Sequence, residues 1–249
     1  MIVSLLLAAG TAAAVQPVEQ AERAFAAMAQ RDGQWTAFRA FADPQALMFV
    51  PAPANAQPWL AGRADPPTAI VWSPARVFTA CDGSLAISTG PWTAGKAHGT
   101  FTTVWRRQAD GSWKWLLDHG RDTPEPIAPA RQAKLSQPNC PSGPAKAEAP
   151  AGLHVAGARI NPARVVAAFG SADILVQRDG AMPARNGAGL PSVKIGKAIA
   201  QGCSDDGSLC WESVTIDGAG AGAHDLAVFQ RRDGASRLVL FDLVGVAAP

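Results

Sequence analysis

The chain has 249 residues, of which 48% are hydrophobic, and its 24 glycines and 20 prolines predict many turns. Its formal net charge is +2 and it has no run of five like charges. This balance argues against nucleic acid or an anionic membrane surface as a main partner, since both need a concentrated basic patch. The length suffices for two domains of ordinary size.

The first residues look like an export signal. A short apolar run over residues 2–9 precedes three alanines at 12–14, which fit the rule for signal cleavage and predict a cut after Ala14. The run is too short to span a bilayer as a helix. It also lacks Lys or Arg before it, so an apolar terminus or a lipid-facing anchor is the alternative. We expect a signal peptide over 1–14, a periplasmic or secreted protein, and no membrane span.

Helical periodicity follows the signal. Residues 18–32 place Ala21, Phe25 and Met28 on one face, and Gly33 is a good stop. The aromatic residues of a second predicted helix recur at every third position: Trp35, Phe38 and Phe41.

Strand patterns occupy the rest of the first half, interrupted by a loop and short helix over 66–74. Glycine or Asp-Gly turns separate most of these strands, and the turn at 108–112 is a strong hairpin signal. The predicted strands lie near 46–50, 76–81, 84–90, 99–107 and 112–118.

A change of composition divides the chain after residue 122. Seven prolines between 123 and 151 predict an extended, semi-stiff linker. Beyond it, residues 162–169 predict a short helix, and the remaining pattern is mostly strand. The predicted strands of this half lie near 173–176, 195–201, 208–215, 224–231 and 236–244.

One pattern occurs twice at a constant offset of 124. The tetrapeptide Asp-Gly-Ser-Leu stands at 82–85 and again at 206–209. The offset indicates two copies of one β-rich unit, the first over 15–122 and a second, reduced copy over 152–249. Three further pairs share the offset: Val104 and Val228, Arg107 and Arg231, Asp118 and Asp242.

The element order of the first half, together with a set of short motifs, resembles a known family. The motifs are Ala-Phe-Ala at 24–26, Asp-Gly at 32–33, Phe38 to Phe41, Phe-Val-Pro at 49–51, Trp-Ser-Pro at 72–74, the tetrapeptide at 82–85, Thr-Gly-Pro-Trp at 89–92, Gly-Thr-Phe-Thr-Thr-Val-Trp at 99–105, Asp-Gly-Ser-Trp-Lys at 110–114 and Asp-His-Gly at 118–120. In combination they look like the bacterial SnoaL-like proteins of the nuclear transport factor 2-like superfamily, over residues 18–120. The second half resembles only the sheet part.

The resemblance implies an α+β cone in which helices cover one face of a curved antiparallel sheet and a mostly apolar pocket opens between them. Superfamily members often dimerise through the open sheet face. We therefore expect the two copies to pack sheet to sheet as an internal pseudo-dimer, which covers apolar side chains. A monomer with this internal pairing and a homodimer are both compatible with the sequence.

Two functions follow from the resemblance. Some members, such as ketosteroid isomerases and polyketide cyclases, catalyse proton transfer in the pocket, whereas many others only bind ligands or partners, and fold alone does not choose between them. The isomerase-type oxyanion site relies on a tyrosine, and this chain has none. We expect an exported protein that binds an apolar small molecule or a partner, with acid–base catalysis as the alternative.

Asp118 is the candidate catalytic residue. In an apolar cavity its carboxylate would serve as a general base. His119, its neighbour on a strand, points to the opposite face unless a bulge intervenes. The recurrence as Asp242 favours a structural role instead. In that structural role, Asp118 would form a cross-strand charge pair with Arg107, and Asp242 would form one with Arg231.

Five tryptophans are candidate ligand contacts, because an indole can stack on a flat or sugar-like ligand. Trp59, Trp72 and Trp92 lie in predicted loops at the expected rim of the cavity. Trp105 and Trp115 lie in the hairpin strands, where core packing is the alternative that we favour.

The four cysteines form an even set, which favours disulfides in an exported protein and allows three pairings. Cys203 and Cys210 flank a turn and could staple a hairpin, which would leave Cys81 to join Cys140. A four-thiolate zinc site is the competitor, but the close Cys-x-x-Cys knuckles of zinc ribbons are missing. The isolated histidines show no metal motif and the glycines form no phosphate-binding loop. We therefore expect no metal and no cofactor.

Overall fold

Two sheets lie face to face, and helices cover the outer face of each, so the chain forms four layers: helices, sheet, sheet, helix. The structure is a computed structural model that describes residues 17–140 and 153–246. The fold is α+β and mostly strand, as the sequence predicts. The predicted signal peptide over 1–14 lies outside the described residues, as does the linker segment 141–152.

Four helices are present in the described residues. The helix predicted over 18–32 and the second predicted helix, which contains Trp35, Phe38 and Phe41, are both present. The helix predicted over 162–169 has the same bounds in the structure. That helix begins at Asn161, whose side chain accepts a hydrogen bond from the backbone of Arg164, and a proline occupies its first turn. The helices are α1 (Val18–Asp32), α2 (Gln34–Phe41), α3 (Ala56–Leu60) and α4 (Pro162–Phe169).

The strands divide into an eight-stranded first sheet and a six-stranded second sheet. The first contains β1 (Ala42–Phe49), β2 (Pro53–Asn55), β3 (Val71–Trp72), β4 (Arg76–Thr79), β5 (Leu85–Ala94), β6 (Ala97–Arg107), β7 (Trp113–Asp122) and β8 (Lys134–Ser136). The second contains β9 (Arg159–Ile160), β10 (Gly170–Arg178), β11 (Val193–Cys203), β12 (Leu209–Asp217), β13 (His224–Arg232) and β14 (Ala235–Val244). The short helix predicted within 66–74 is wrong, because that stretch is loop and β3, and α3 lies upstream of it.

The two sheets share an unusual pairing. In each, a helix runs directly into a strand that pairs in parallel with the second strand of a later hairpin: α2 and β1 with β7, and α4 and β10 with β14. The same irregularity interrupts both pairings. A step of five residues along β1, from Ala42 to Leu47, lies opposite a step of two along β7, from Trp115 to Leu117, and β10 against β14 repeats these two steps.

Apolar side chains fill the space between the sheets. Residues such as Ile87 and Leu117 of the first sheet pack against Leu226 and Leu240 of the second, and all four are completely buried. Burying two such faces against each other removes apolar surface that either sheet alone would expose to water.

The repeated turns meet each other at one end of this interface. The backbone N–H of Asp82 donates to the carboxylate of Asp206 at 3.1 Å, and the backbone N–H of Asp206 donates to the carboxylate of Asp82 at 2.8 Å. Cys81 N–H likewise donates to Ser208 Oγ, and Asp205 N–H to Ser84 Oγ, again with the two halves exchanged. The contact is therefore self-complementary, as at a two-fold axis between identical subunits.

The proline-rich segment is not only an extended linker. Its residues 134–140, which we call the strap, include β8, which pairs in parallel with β4 at the edge of the first sheet. Gln230 of the second sheet donates from its side-chain amide to Thr79 O and to Ser136 O, so the strap is bonded to both sheets. The prediction of an extended linker without regular structure is wrong for this part, because its proline-free residues 134–136 complete a sheet edge.

Both disulfides favoured by the sequence are present, Cys81–Cys140 and Cys203–Cys210, and they include all four cysteines. The first fastens the end of the strap to the turn after β4, and the second closes the hairpin of β11 and β12. Disulfides persist in oxidising environments, so the bonds point to the periplasm or the cell exterior.

Candidate functional site

A cavity of about 240 Å³ opens between the helices and the outer face of the first sheet. The exposed Gly120 and Asp122 mark its mouth, and the buried Phe25 and Phe38 mark its depth. Residues of α1, α2, the loop before β3 and four strands line the cavity. Its lining residues are Phe25, Phe38, Ile70, Trp72, Trp92, Phe101, Asp118, His119, Gly120 and Asp122.

A β-bulge decides that Asp118 faces this cavity. Trp105 of β6 pairs with Trp115 of β7, but the next residue, Val104, pairs with Leu117, so Leu116 is extra. The extra residue exchanges the two faces of the strand beyond it. Asp118 consequently points toward the helices.

The same bulge turns His119 toward the second sheet, where its ring contacts Asp242 and His224. His119 therefore borders the cavity without presenting its ring nitrogens to it. The side chains of Asp118 and His119 therefore point to opposite faces of the strand, as the sequence predicts.

Two glycines make room for the indole that forms one wall. A Cβ on Gly99 would lie 2.8 Å from ring atoms of Trp92, and one on Gly120 would lie 3.3 Å from its Nε1. Glycine inside a strand commonly marks such a close approach. Trp92 can therefore lie flat across β6 and β7, and its Nε1 donates to Thr100 O at 3.2 Å.

A buried carboxylate fixes the second indole of the cavity, that of Trp72, which pairs with Trp92 across β3 and β5. Glu22 of α1 is completely buried and accepts hydrogen bonds from the indoles of Trp72 at 2.7 Å and Trp105 at 2.9 Å, and from Ser88 Oγ at 2.5 Å. Burial raises the pKa of Glu22, and these three donors counteract the rise. The Trp72 ring is thereby held in one orientation against Phe25, with ring centroids 4.8 Å apart.

Asp118 is the strongly perturbed acid of the cavity. Burial raises its pKa to about 7, a hydrogen bond from Thr103 Oγ1 at 2.6 Å opposes the rise, and the nearby Glu22 adds to it. The predicted charge pair with Arg107 is wrong, because the strand register places Arg107 opposite Trp113. A carboxyl group with a pKa near neutrality in an apolar cavity is a common feature of functional sites.

We expect Asp118→Asn to stabilise the protein at pH 8 and to leave its stability nearly unchanged at pH 4. The folded pKa of Asp118 lies above the ordinary value of 3.8, so its favourable contribution is complete below that value and is lost as the pH rises through about 7. Allowing for partial exposure, the gain at pH 8 should be about 1 to 3 kcal/mol.

Urea unfolding of both proteins at the two pH values measures this difference. Asp122→Asn is the matched control, because Asp122 is exposed on the same strand face, and it should change stability by less than about 0.5 kcal/mol. A loss of stability in Asp118→Asn at pH 8 would show that the carboxylate has a structural role.

The five tryptophans that are candidate ligand contacts lie in different parts of the structure. Trp72 and Trp92 line the cavity. Trp105 and Trp115 are completely buried in the core beneath the helices, and Trp115 donates from Nε1 to Phe38 O, so the expectation that they contact a ligand is replaced by core packing. Trp59 packs edge-on against Trp35 under the Arg63 guanidinium, away from the lining residues.

Asp242 is not the structural counterpart of Asp118. Four residues lie between the paired Arg231 and Ser236 of the second hairpin, whereas five lie between the matching pair Arg107 and Trp113 of the first, so the sequence offset changes within the hairpin. Asp118 pairs with Thr103, whereas the residue that pairs with the matching Ala227 is Phe241. Asp242 instead holds the position of His119 and faces the space between the sheets.

Asp242 is the centre of a buried polar cluster there. Its Oδ2 accepts from Thr102 Oγ1 at 2.7 Å, from His119 Nε2 at 3.0 Å and from Arg121 at 3.0 Å, and its Oδ1 accepts from Gln177 at 3.0 Å. The predicted pair of Arg231 with Asp242 is wrong, because Arg231 lies opposite Ser236 in the register. The cluster joins β6 and β7 to β10 and β14, and it reaches the cavity only through His119, which borders it.

Several lining residues escaped the sequence analysis as site residues. Phe25 and Phe38 carry the pattern of a helix core, and Ile70 lies in a loop without a motif. Asp122 carried the one usable signal, since it stands four positions after Asp118 and so shares its face on a regular strand. Among the described residues there is no group of three His, Cys, Asp or Glu placed to hold a metal ion.

Comparisons with known proteins leave the family open. No family model matches the chain, and no curated protein matches it. Among solved structures, a crystal structure from Exiguobacterium sibiricum described as a "putative ca/calmodulin-dependent kinase ii association domain" is similar at 12% identity, over 46% of this chain and 98% of that chain, with a TM-score of 0.28. That similarity is too low to assign a fold family or a function. No helix within 17–140 or 153–246 has the length and apolar character to cross a membrane.

Proposed function

We propose that the protein is an exported binding protein for a small, largely apolar molecule, which occupies the cavity of the first half with Asp118 as its polar anchor. The observation that carries the proposal is the cavity itself: five aromatic rings and one carboxyl group of pKa about 7 converge on it. A mostly apolar pocket with a few converging polar groups is the usual form of a small-molecule site. Its volume is below the roughly 300 Å³ at the lower end of such sites, so the ligand is small.

The first half is assigned by resemblance to the nuclear transport factor 2-like superfamily and its SnoaL-like members. The helices on one sheet face, with a cavity between them, support this proposal. The second half is proposed to be a reduced copy, supported by the shared parallel pairing with the same irregularity and by the exchanged hydrogen bonds of the two turns. Its role is then to cover the open sheet face as the other subunit of a pseudo-dimer.

Export by a signal peptide over 1–14 is the third part of the proposal. The two disulfides support it, since they require an oxidising compartment.

Native mass spectrometry of the protein purified without reductant from its own cell envelope tests the binding proposal. We expect a small molecule of defined mass to be retained by the wild type and to be absent from Ile70→Trp, in which a larger side chain fills the cavity. Val71→Trp introduces the same side chain at the exposed neighbouring residue, which does not line the cavity; it is the matched control and should still retain the molecule. Two results together would overturn the proposal: the wild type carries no such molecule, and Ile70→Trp binds added aromatic compounds as tightly as the wild type does.

Acid–base catalysis is the second candidate, and the pKa of Asp118 near 7 favours it specifically, since a general base works best with a pKa near the operating pH. The retained molecule would then be a substrate or product. Turnover that disappears in Asp118→Asn while binding persists would distinguish this reaction from simple binding.

A further inference from the structure

We infer that the cavity selects small organic cations, with a protonated amine or quaternary ammonium group beside the Asp118 carboxylate and an apolar body against the aromatic rings. The inference rests on the proposed binding function and adds the chemical class of the ligand. It follows from the hydrogen-bonding and charged groups that line the cavity, and from which of these groups are already bonded to other protein atoms.

The cavity offers hydrogen-bond acceptors but no side-chain donor among its described lining residues once Asp118 is ionised. The indole N–H of Trp72 is bonded to Glu22, and that of Trp92 to Thr100 O. Both ring nitrogens of His119 are engaged with the second sheet. A ligand that needs donors, such as a carboxylate or a phosphate, would therefore lose its hydrogen bonds to water without replacement.

The charges near the cavity have one sign. Asp118 and Asp122 line it, Glu22 lies close enough to raise the pKa of Asp118, and no Lys or Arg among the described residues lines it. Asp122 at the mouth and Asp118 inside are four residues apart on one strand, about 13 Å at the usual rise. Two carboxylates along one path would attract a cation to the mouth and bind it inside.

The remaining wall is suited to a cation. The rings of Trp72, Trp92 and Phe101 line the cavity, and the face of an aromatic ring attracts an ammonium group, most strongly when the group is desolvated. A ring wall alone would accept any apolar ligand. The ring wall combined with unneutralised carboxylates favours a cationic one.

The pH dependence of binding separates ligand classes by its sign. A cation needs Asp118 ionised, so its affinity should rise about tenfold between pH 6 and pH 8, as the group titrates near pH 7. The other acids near it, Glu22 and Asp122, add no positive charge that would oppose the binding of a cation. A neutral ligand that accepts a hydrogen bond needs the protonated acid, so its affinity should fall over the same range.

Calorimetric titration with benzylamine, benzyl alcohol and benzoate tests the inference, because these probes share a ring and differ in charge. At pH 8 we expect benzylamine to bind at least tenfold more tightly than benzyl alcohol, and benzoate to bind most weakly. Asp118→Asn should lower the affinity for benzylamine to that for benzyl alcohol while leaving the alcohol nearly unchanged. Trp72 and Trp92 fluorescence provides an independent signal of occupancy.

The outcomes separate the inference from the proposed function. If benzyl alcohol binds to the wild type as tightly as benzylamine, and Ile70→Trp abolishes both, the cavity is a binding site but cation selection is wrong. If benzylamine binds more tightly at pH 6 than at pH 8, the selection is also wrong. If none of the probes binds and no molecule is retained from the cell envelope, the proposed function itself fails.

Discussion

Replacing Asp242 by asparagine should lower the free energy of unfolding at pH 7 by about 3 to 5 kcal/mol, the largest loss that we expect from any single substitution in this chain. Asp242 and its partner Arg121 are both buried, and the carboxylate is the ion-pair partner of Arg121 among the described residues. The asparagine keeps the shape of the side chain but leaves a buried guanidinium without a counter-charge. Such a loss consumes much of the stability of an ordinary domain.

The pH dependence of this loss has a definite sign. Burial alone would raise the pKa of Asp242, but the Arg121 charge and the bonds from His119 and Thr102 outweigh it and hold the pKa below the ordinary value of 3.8. A depressed carboxyl pKa stabilises the folded state fully above the ordinary value of 3.8, and the contribution is lost as the pH falls through the lower folded pKa. The wild type and Asp242→Asn should therefore differ fully at pH 7 and begin to converge only below pH 3.8.

Urea unfolding at pH 7 and at a series of lower pH values down to about pH 2 measures both effects. Thr102→Val is the matched control, because it removes one neutral donor to the same carboxylate and keeps the ion pair, and it should cost about 1 kcal/mol. If Asp242→Asn costs no more than Thr102→Val, the cluster does not hold the two sheets together. Should Asp242→Asn fail to fold, a folded Thr102→Val would assign that failure to the lost charge.

The position of Asp242 also shows where sequence reasoning reaches its limit. Asp118 and Asp242 share the offset of 124, yet the second hairpin has one residue fewer between equivalent paired positions, which moves Asp242 out of register. Bulges at Leu116 in β7 and at Val239 in β14 then decide which face each residue takes. Neither event leaves a mark in the residue pattern, since an extra residue in a strand looks like any other. The chemical roles of these residues were therefore beyond prediction, although their positions in the hairpins were not.

Local signals were sufficient for the elements themselves. The Asn161 cap and Pro162 in the first turn set the start of α4, the glycine-containing turns set the hairpins, and the spacing of the cysteines favoured the correct pairs. β8 was missed because a three-residue strand inside a proline-rich stretch has no periodicity of its own and depends on β4 for its hydrogen bonds. The sequence also did not identify all of the residues that line the cavity, because they come from segments far apart in the chain, such as those of Phe25 and Asp122.

Removing the Cys81–Cys140 disulfide should cost about 4 kcal/mol, nearly as much as the loss of Asp242. The bond closes a loop of 59 residues, and a longer loop restricts the unfolded chain more strongly. Cys203–Cys210 spans only 7 residues, so its loss should cost about 2 kcal/mol. The double substitutions Cys81→Ser with Cys140→Ser, and Cys203→Ser with Cys210→Ser, avoid a free thiol and form a matched pair.

The location of the first bond adds a consequence that the loop length alone does not predict. Cys140 ends the strap, which pairs with β4 and is bonded to Gln230 of the second sheet. Asn139 N–H also donates to Arg231 O at 3.0 Å. Hydrogen exchange should therefore show faster exchange at β8 and at the facing end of β13 in the Cys81–Cys140 double variant, but not in its control. Equal losses of stability in the two variants, with unchanged exchange at β8, would mean that the bond does not fasten the strap across the two sheets.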